Sequence, residues 1–353
     1  MSNLPSFVET AVLQKPFEIT MEKRELPVLG PNDVLIKVMA VGVCGSDVHY
    51  YEHGKIGRYV VEKPLVLGHE CAGEVVAVGD KVKNIKLGDR VAIEPGVTCG
   101  TCDMCKSGRY NLCPDVQFMA TPPVDGAFAQ YVKHREDFVY VIPDELSYEE
   151  AALIEPFSVG LHAMKRANVQ PGATVAIMGI KPVGLLTVVA AKSYGASKII
   201  VGDVEDVRLE AALKLGATHA IQVKSEDAIQ AIGKYTNGAG VDFAFETAGN
   251  GSALKTSLNA LKRGGTLAVI GLPQESATPL NIPTIVDNEV NILGIFRYAN
   301  TYETAIRILT SGQFNIGLLV TDQYPLAETK EALEQARTNK SKSLKVMVYP
   351  NGQ

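Results

Sequence analysis

Two patterns of apolar and polar residues divide the sequence. Up to about residue 145, short runs rich in β-branched residues alternate with turns of Gly, Pro, Asn and Asp, as in VLIKVMAVGV (34–43), CAGEVVAVG (71–79) and DRVAI (89–93). Short strands broken by such turns are typical of a β-rich domain. The first part of the chain is therefore predicted to be mostly β-structure.

From about residue 158 an apolar strand, a glycine turn and a helix-length amphipathic stretch recur in that order. Strands are predicted at 174–179, 198–203, 241–246 and 266–271, and helices near 183–194, 205–215, 226–236 and 251–262. This alternation favours a doubly wound parallel sheet, so the fold class is predicted to be α/β.

The end of the chain breaks the alternation. A helix is predicted at about 301–311 and a single strand at KVMVYP (345–350). At 353 residues the chain exceeds what one hydrophobic core usually supports, yet this tail is too short to form a domain. It is predicted to pack back onto the β-rich region, so that the α/β domain is an insertion.

Charge and composition limit the classes of binding partner that the chain is expected to have. The 34 basic residues are interspersed with 39 acidic ones, for a net charge of -5, so no basic stripe is present and nucleic acid is not a predicted partner. The N-terminal segment lacks the basic and apolar regions of a secretory signal, and no apolar run approaches the roughly 20 residues that cross a bilayer. A cytoplasmic location without membrane association is predicted.

All six cysteines precede residue 114, and four of them form one cluster. The segment VTCGTCDMCKSGRYNLCP gives a C-x2-C-x2-C-x7-C spacing with the cysteines Cys99, Cys102, Cys105 and Cys113. Two disulfides, unconnected core cysteines and a four-iron cluster are the alternatives, but the surroundings are polar and loop-forming, and the usual cluster spacing differs. We predict a structural zinc, because a closed site of four thiolates has no position left for chemistry.

A second metal site is predicted around Cys44 in GVCGSDVHY and the pair His69 and Glu70 in LGHECAGE. A catalytic zinc takes three protein ligands and keeps one position open. No cysteine follows Cys113, so the third ligand is either Glu70 or Glu155, a carboxylate in the otherwise apolar stretch ALIEPFSVGLHA.

A dinucleotide-binding turn is predicted in VAIMGIKPVGLLTVVAAK. Gly179 and Gly184 lie between a predicted strand and helix, and Asp203 follows at the end of the next strand. The glycines permit a tight turn, the helix N-terminus faces the pyrophosphate, and the acid binds the ribose hydroxyls, which favours NAD over NADP. Lys181 stands where the fingerprint has its middle glycine, so Lys181→Gly is expected to tighten NAD binding.

Taken together, these motifs resemble the zinc-containing medium-chain dehydrogenases over nearly the whole chain, and within them the polyol branch of sorbitol and xylitol dehydrogenases. The matching segments are CGSDVHYYEHGKIG (44–57), GHECAGEV (68–75), EPGVTCGTCDMCKSGRYNLCPD (94–115), ATPPVDGAF (120–128), IEPFSVGLHA (154–163) and GIFRYANTY (294–302). The resemblance implies a GroES-like catalytic domain at 1–157 with a structural-zinc lobe at about 94–115. It further implies a Rossmann domain at 158–296, a return segment at 297–353 that completes the catalytic domain, and a homotetramer.

The resemblance also implies residue roles. The catalytic zinc is held by Cys44, His69 and Glu70, with Glu155 near the zinc or joined to it through water, and two zinc ions bind per chain. Ser46 and His49 are placed to pass a proton to solvent. Substrate contacts are implied for Tyr50, Phe118, Glu155, Arg297 and Tyr298. Cofactor contacts are implied for Gly179, Lys181, Val183, Gly184, Asp203, Arg208, Leu272, Phe296 and Arg297.

The predicted activity is the reversible oxidation of a secondary hydroxyl of a polyol to a ketose, with NAD as hydride acceptor and zinc as Lewis acid. Glu155 follows the polyol pattern, since the related alcohol dehydrogenases have a cysteine there. The alternatives are a zinc-dependent dehydrogenase of another alcohol, of the threonine type, and a non-catalytic relative that retains the fold.

Overall fold

The computed structural model describes residues 4–272 and 277–352, and the chain divides into two compact units. The first unit comprises Met1–Glu155, Tyr302–Ser311 and Gly317–Gln353. The second comprises Pro156–Thr301 and Gly312–Ile316, so in sequence it is inserted into the first. Among the described residues, no helix has the length and apolar character needed to cross a membrane.

The first unit is rich in short strands. Its strands are β1 (Phe7–Lys15), β2 (Glu18–Glu25), β3 (Asp33–Gly42), β4 (Lys55–Ile56), β5 (Tyr59–Val60), β6 (Leu65–Val66), β7 (Glu70–Val78), β8 (Arg90–Ile93), β9 (Gly96–Val97), β10 (Gln117–Phe118), β11 (Tyr131–Arg135), β12 (Val139–Val141), β19 (Val320–Pro325) and β20 (Lys345–Tyr349). Its helices are α1 (Gly45–His53), α2 (Asp103–Lys106), α3 (Tyr148–Ala152), α10 (Tyr302–Leu309) and α11 (Thr329–Thr338).

Strand β3 organises the main sheet of this unit. The sheet has the order β12-β8-β7-β3-β20-β19, and β11 also pairs with β3. Strand β3 has neighbours on both sides, and its apolar residues Val34, Ile36 and Val38 are fully buried because they pack into the hydrophobic core of this unit. The terminal strand β20 pairs antiparallel with β3, Met347 facing Gly42, as predicted for the tail of the chain.

The second unit contains a parallel sheet with helices between its strands. Its strands are β13 (Thr174–Met178), β14 (Lys198–Asp203), β15 (His219–Gln222), β16 (Val241–Glu246), β17 (Leu261–Val269) and β18 (Asn291–Gly294). Its helices are α5 (Pro182–Ser193), α6 (Asp206–Lys214), α7 (Ala228–Tyr235), α8 (Gly251–Asn259) and α9 (Ile282–Asp287), and α4 (Ile154–Ala167) begins at the end of the first unit.

The strand order β15-β14-β13-β16-β17-β18 is that of a doubly wound dinucleotide-binding sheet. All of its strand pairs are parallel. Ligands bind such sheets at the carboxyl ends of the strands, where the order reverses. Here the reversal lies between β13 and β16.

Several details of the second unit differ from the sequence prediction. The helix expected to reach residue 262 ends at Asn259, and β17 begins at Leu261 instead of at residue 266. The polar LKRGG segment gives no apolar strand pattern at the start of β17. Strand β17 is irregular there, and its first residues are half-buried or exposed. Strands β15 and β18 were not predicted.

Candidate active site and metal centres

The four-cysteine lobe brings its sulfur atoms together. The Sγ–Sγ distances are 3.5 Å between Cys102 and Cys105, 3.6 Å between Cys99 and Cys113, and 3.9 Å between Cys99 and Cys105. A tetrahedral zinc with Zn–S bonds of about 2.3 Å separates its sulfurs by about 3.8 Å. A disulfide needs about 2.0 Å, so the four cysteines fit zinc and not the disulfide alternative.

Local backbone amides donate hydrogen bonds to sulfur atoms of the lobe. The amides of Cys102 and Cys105 donate to the sulfurs of Cys99 and Cys102, each at 3.4 Å. Hydrogen bonds from the backbone and side chain of Thr101 lower the pKa of Cys99 to about 6. Gly100 and Gly108 adopt positive φ values of 70° and 74°, which lets the loop turn tightly between its cysteines. Burial, in contrast, raises the pKa of Cys113 to about 11, so the surroundings favour the thiolate at Cys99 but not at Cys113.

A buried carboxylate lies directly before the lobe. Glu94 accepts hydrogen bonds from the hydroxyls of Tyr110 at 2.8 Å and Tyr140 at 2.9 Å. Burial raises the pKa of Glu94 to about 7, against the two hydroxyls, which lower it. Since Tyr110 belongs to the lobe and Tyr140 to β12, Glu94 ties the lobe to the main sheet.

The second metal group draws its ligand atoms from two segments. Cys44 precedes α1 and Glu70 begins β7, and the ligand atoms of Cys44, His69 and Glu70 lie within 4.8 Å of one another. His69 and Glu70 are buried, and Cys44 is half-buried. One thiolate, one imidazole and one carboxylate match the three-ligand set of a catalytic zinc. Within the part of the chain that the structure describes, Glu155 is not among the residues whose donor atoms lie this close together, whereas Glu70 is.

Asp47 was not singled out from the sequence, yet it joins the two segments. Its carboxylate accepts from the amide of Cys44 and from the amide of Gly68, both at 2.9 Å, and lies 3.6 Å from Nδ1 of His69. Burial works against protonation of His69, but Cys44 and Asp47 outweigh it and hold the pKa of His69 well above its usual range. Asp47 thus joins the two ligand-bearing segments and adds a buried carboxylate to the group.

The other site residues predicted in the first unit differ in how far they are buried. The ring of Phe118 is 5.7 Å from that of His69, so the structure brings it to the metal group. Tyr50 is part of the hydrophobic core, and Ser46 and His49 are half-buried on α1. Glu155 is buried in the first turn of α4. Burial is the main cause of the raised pKa of Cys71, which the charge of His69 lowers and the charge of Glu155 raises further.

The glycine turn of the second unit has the expected conformation. Gly179 has φ of 93°, and a Cβ there would lie 2.5 Å from Ala248. A Cβ on Gly184 would meet the carbonyl of Gly179 at 2.1 Å. Lys181 is exposed at the N-terminus of α5 with φ of -74°, so this position does not require glycine for its backbone. Pro182 follows at the first helical position, where its missing amide costs nothing.

A cavity of about 440 Å³ lies against this turn, with Gly179, Lys181, Asp203 and Arg208 in its wall. Asp203 accepts from the amide of Ile180 at 2.5 Å, which fixes the turn to the end of β14. Arg208 is buried and lies 3.2 Å from the carboxylate of Asp203, so the two charges are paired.

Other predicted cofactor and substrate residues of the second unit lie outside the wall of this cavity. Val183 is half-buried in the first turn of α5, while Leu272 and Phe296 are exposed. The guanidinium of Arg297 lies 4.8 Å over the ring of Phe296, and Arg297 has a positive φ of 50°. Tyr298 is buried.

Comparison with known proteins agrees with these features. Residues 30–144 match the alcohol dehydrogenase GroES-like domain, and residues 182–311 match the zinc-binding dehydrogenase domain. The chain is 60% identical to a sorbitol dehydrogenase of Bacillus subtilis over 348 residues, which is 99% of each chain. This chain belongs to the zinc-containing medium-chain dehydrogenases, and the predicted family and fold class are confirmed.

Solved structures give the same result. An Escherichia coli oxidoreductase of unknown specificity aligns with a TM-score of 0.93 at 41% identity, covering 97% of this chain and 99% of that one. A zinc-binding dehydrogenase of Sinorhizobium meliloti, solved with NADP, aligns with a TM-score of 0.90 at 30% identity, covering 98% and 100%. The chain is thus an enzyme of the dehydrogenase type, and the non-catalytic alternative is not supported.

Proposed function

We propose that this chain oxidises a secondary hydroxyl of a polyol to a ketose, reversibly, with zinc and NAD. The observation that carries this proposal is the 60% identity, over nearly the whole chain, to a sorbitol dehydrogenase. The mixed thiolate, imidazole and carboxylate group supports it independently, because this set suits a metal that must leave one position open for substrate.

The residues of the first unit have distinct roles in this proposal. Cys44, His69 and Glu70 would hold the catalytic zinc, which would supply Lewis acidity at the substrate hydroxyl. Glu155 is a buried carboxylate that would accept hydrogen bonds from substrate hydroxyls or from an intervening water. Ser46 and His49, half-buried on α1, pass the released proton towards solvent. Tyr50 and Phe118 contribute apolar surface to substrate binding.

Two zinc ions per chain follow from the two separate donor groups. The lobe offers four thiols at zinc-compatible spacing and no further position, so its ion is structural. The group of Cys44, His69 and Glu70 offers three donors, so its ion is catalytic. The nicotinamide cofactor is assigned to the turn of Gly179 and Gly184, with further contacts from Val183, Leu272 and Phe296. Arg297 contacts both cofactor and substrate, and Tyr298 contacts substrate.

We assign NAD over NADP on electrostatic grounds. The cavity beside the turn contains Asp203 together with Glu226 and Asp227, which would repel a 2′-phosphate. Two cations also line this cavity, Arg208, whose charge is paired with Asp203, and Lys181 at the N-terminus of α5, and the three carboxylates outnumber them. One solved relative was determined with NADP bound, so the preference of this chain for NAD needs a direct test. We expect kcat/KM to favour NAD by about 100-fold, or about 2.7 kcal/mol.

A cytoplasmic homotetramer is the assembly we propose. Strand β18 is at the edge of the described sheet and exposes Ile292, and the neighbouring α9 exposes Ile282 and Val286 at 61% and 66%. An unpaired apolar strand edge of this kind favours association with another chain. The cysteines of the described chain are all outside disulfides, which suits a reducing compartment. Light scattering on the purified protein should give four chains per particle.

The direct test is NADH formation with a panel of alcohols. Sorbitol and xylitol should be oxidised with kcat/KM at least about 100-fold above that for threonine. The control is the same panel with a His69→Ala variant, which should be inactive on every substrate. A preference for threonine would replace the polyol assignment, and no NADH with any substrate would refute the proposed activity.

A further inference from the structure

Lys345 is a fully buried lysine at the metal group. Its side chain is 1% exposed and forms an ion pair with Glu70, whose side chain is also 1% exposed. The Nζ atom of Lys345 also donates to the carbonyl of Val43 at 2.9 Å, one residue before Cys44. Lys345 is the first residue of β20, so the C-terminal segment brings this cation beside ligands from the start of the chain.

The fold makes room for this ion pair. A Cβ at Gly42 would lie 2.7 Å from Cε of Lys345 and would collide with the carboxylate of Glu70. Gly42 has no positive φ in this structure, so glycine is needed here for space and not for conformation. Burying a lysine is costly unless its charge is compensated. The arrangement is therefore a built contact between Lys345 and Glu70.

The charge of Lys345 gives this residue a second role at the metal group. With zinc bound, the buried group holds three negative charges, on the thiolate of Cys44 and the carboxylates of Glu70 and Asp47. Zinc contributes two positive charges and Lys345 contributes the third. Without Lys345 the buried group would carry one uncompensated negative charge, which is unfavourable at low dielectric.

We infer that Lys345 is a positioning residue for the catalytic zinc: it holds one oxygen of Glu70, so that the carboxylate is fixed for the metal, and it neutralises the ligand group. This inference rests on the proposed zinc site. Partners that orient metal ligands typically change metal affinity 10- to 100-fold when they are removed. If Lys345 instead kept Glu70 away from zinc, removing Lys345 would raise zinc affinity. The direction of the change in zinc affinity therefore distinguishes the two roles.

The test is zinc retention by the purified holoenzyme in the presence of a chromogenic zinc chelator. We expect Lys345→Met to release the zinc of this group at least about tenfold more readily than the wild type, with the zinc of the four-cysteine lobe unaffected. Where Lys345→Met does not fold, Lys345→Gln, which keeps a donor for Val43 without the charge, carries the same expectation. Met347→Ala, a buried change on the same strand, is the control and should leave zinc retention unchanged.

A double-variant cycle shows whether Lys345 acts through Glu70. In a Glu70→Gln background, Lys345→Met should change zinc retention by less than about threefold, because the ion pair is already lost. Unchanged or stronger zinc retention in Lys345→Met, or an equal loss in the Glu70→Gln background, would overturn the inference. Since zinc release needs no substrate, a wild type that fails to oxidise polyols would count against the proposed function alone.

Discussion

The four-cysteine lobe and the group of Cys44, His69 and Glu70 are both proposed zinc sites, but they are built differently. The lobe takes all its donors from one short loop, and three of its four cysteines are only half-buried. The second group takes its donors from two segments that Asp47 and Lys345 hold together inside the unit. One site thus depends on local sequence, and the other depends on the tertiary fold.

This difference indicates what each site contributes. Four thiolates satisfy zinc completely, so the lobe can only stabilise its loop and the contacts around Glu94. Three mixed donors with buried charges around them leave zinc able to bind a further oxygen. Stability should therefore depend mainly on the lobe, and turnover mainly on the second group.

The largest expected effect is on stability. Cys113→Ala removes one lobe ligand and should lower the free energy of unfolding by more than about 4 kcal/mol, because metal binding and folding of the lobe are coupled. The measurement is the urea midpoint with zinc present. Cys71→Ala deletes a buried thiol outside either group and should cost only about 1 kcal/mol. Equal costs for the two variants would mean that the lobe does not depend on metal.

His69→Ala should show the reverse behaviour. Loss of a catalytic zinc ligand should reduce kcat/KM for polyol oxidation by about 1,000-fold, or about 4 kcal/mol, while the urea midpoint changes little. The matched control is His134→Ala, since His134 is equally buried but binds the carbonyl of Glu94 and no ligand group. If His134→Ala lost as much activity as His69→Ala, turnover would reflect general packing instead of zinc binding.

Glu94 gives a pH-dependent test of the lobe's attachment. Its folded pKa of about 7 lies above the unfolded value near 4.5, so the folded state binds a proton that the unfolded state has released. This contribution to stability is fully present below pH 4.5 and is lost as the pH rises through 7. Its total size is about 3 kcal/mol. Glu94→Gln should therefore gain stability relative to wild type between pH 5 and 8.

The pH test has a simple control. Glu145 is exposed, so Glu145→Gln should keep a constant difference from wild type over the same range. Urea midpoints measured at several pH values give both comparisons. A flat difference for Glu94→Gln would mean that Glu94 is ionised in the folded protein throughout this range.

Glu155→Gln tests the substrate side of the second group. The change keeps the volume of the side chain but removes its charge, and we expect polyol turnover to fall by about 100-fold, which is typical when a positioned carboxylate is lost. Zinc content and the urea midpoint should stay near wild type, because Glu155 is not one of the three close donors. Near-normal turnover would make Glu155 a structural group only.

The two sites also differ in how far the sequence alone could predict them. The lobe could be predicted from spacing, because its four cysteines lie within 15 consecutive residues. Cys44 and the pair His69 and Glu70 had recognisable motifs, but spacing left the choice between Glu70 and Glu155 open. In the structure Glu70, at the start of β7, lies within 4.8 Å of the donor atoms of Cys44 and His69, which favours Glu70 as the third ligand.

Other residues gave no usable sequence signal. Lys345 lies in an ordinary apolar strand motif and reaches Glu70 only because β20 pairs with β3, some 300 residues away in sequence. The contact of Glu94 with Tyr140 likewise depends on the pairing of β8 with β12. Within the second unit the repeated pattern predicted the parallel sheet through β13, β14, β16 and β17, whereas the short strands β15 and β18 carried no pattern strong enough to be predicted.

The most direct test of the two-site account is the zinc content of protein purified without chelators, measured for the wild type and the His69→Ala variant. We expect two zinc ions per wild-type chain and one per His69→Ala chain, with the variant folded and inactive. One zinc ion or fewer in the wild type, or two in a His69→Ala variant that is inactive, would contradict it.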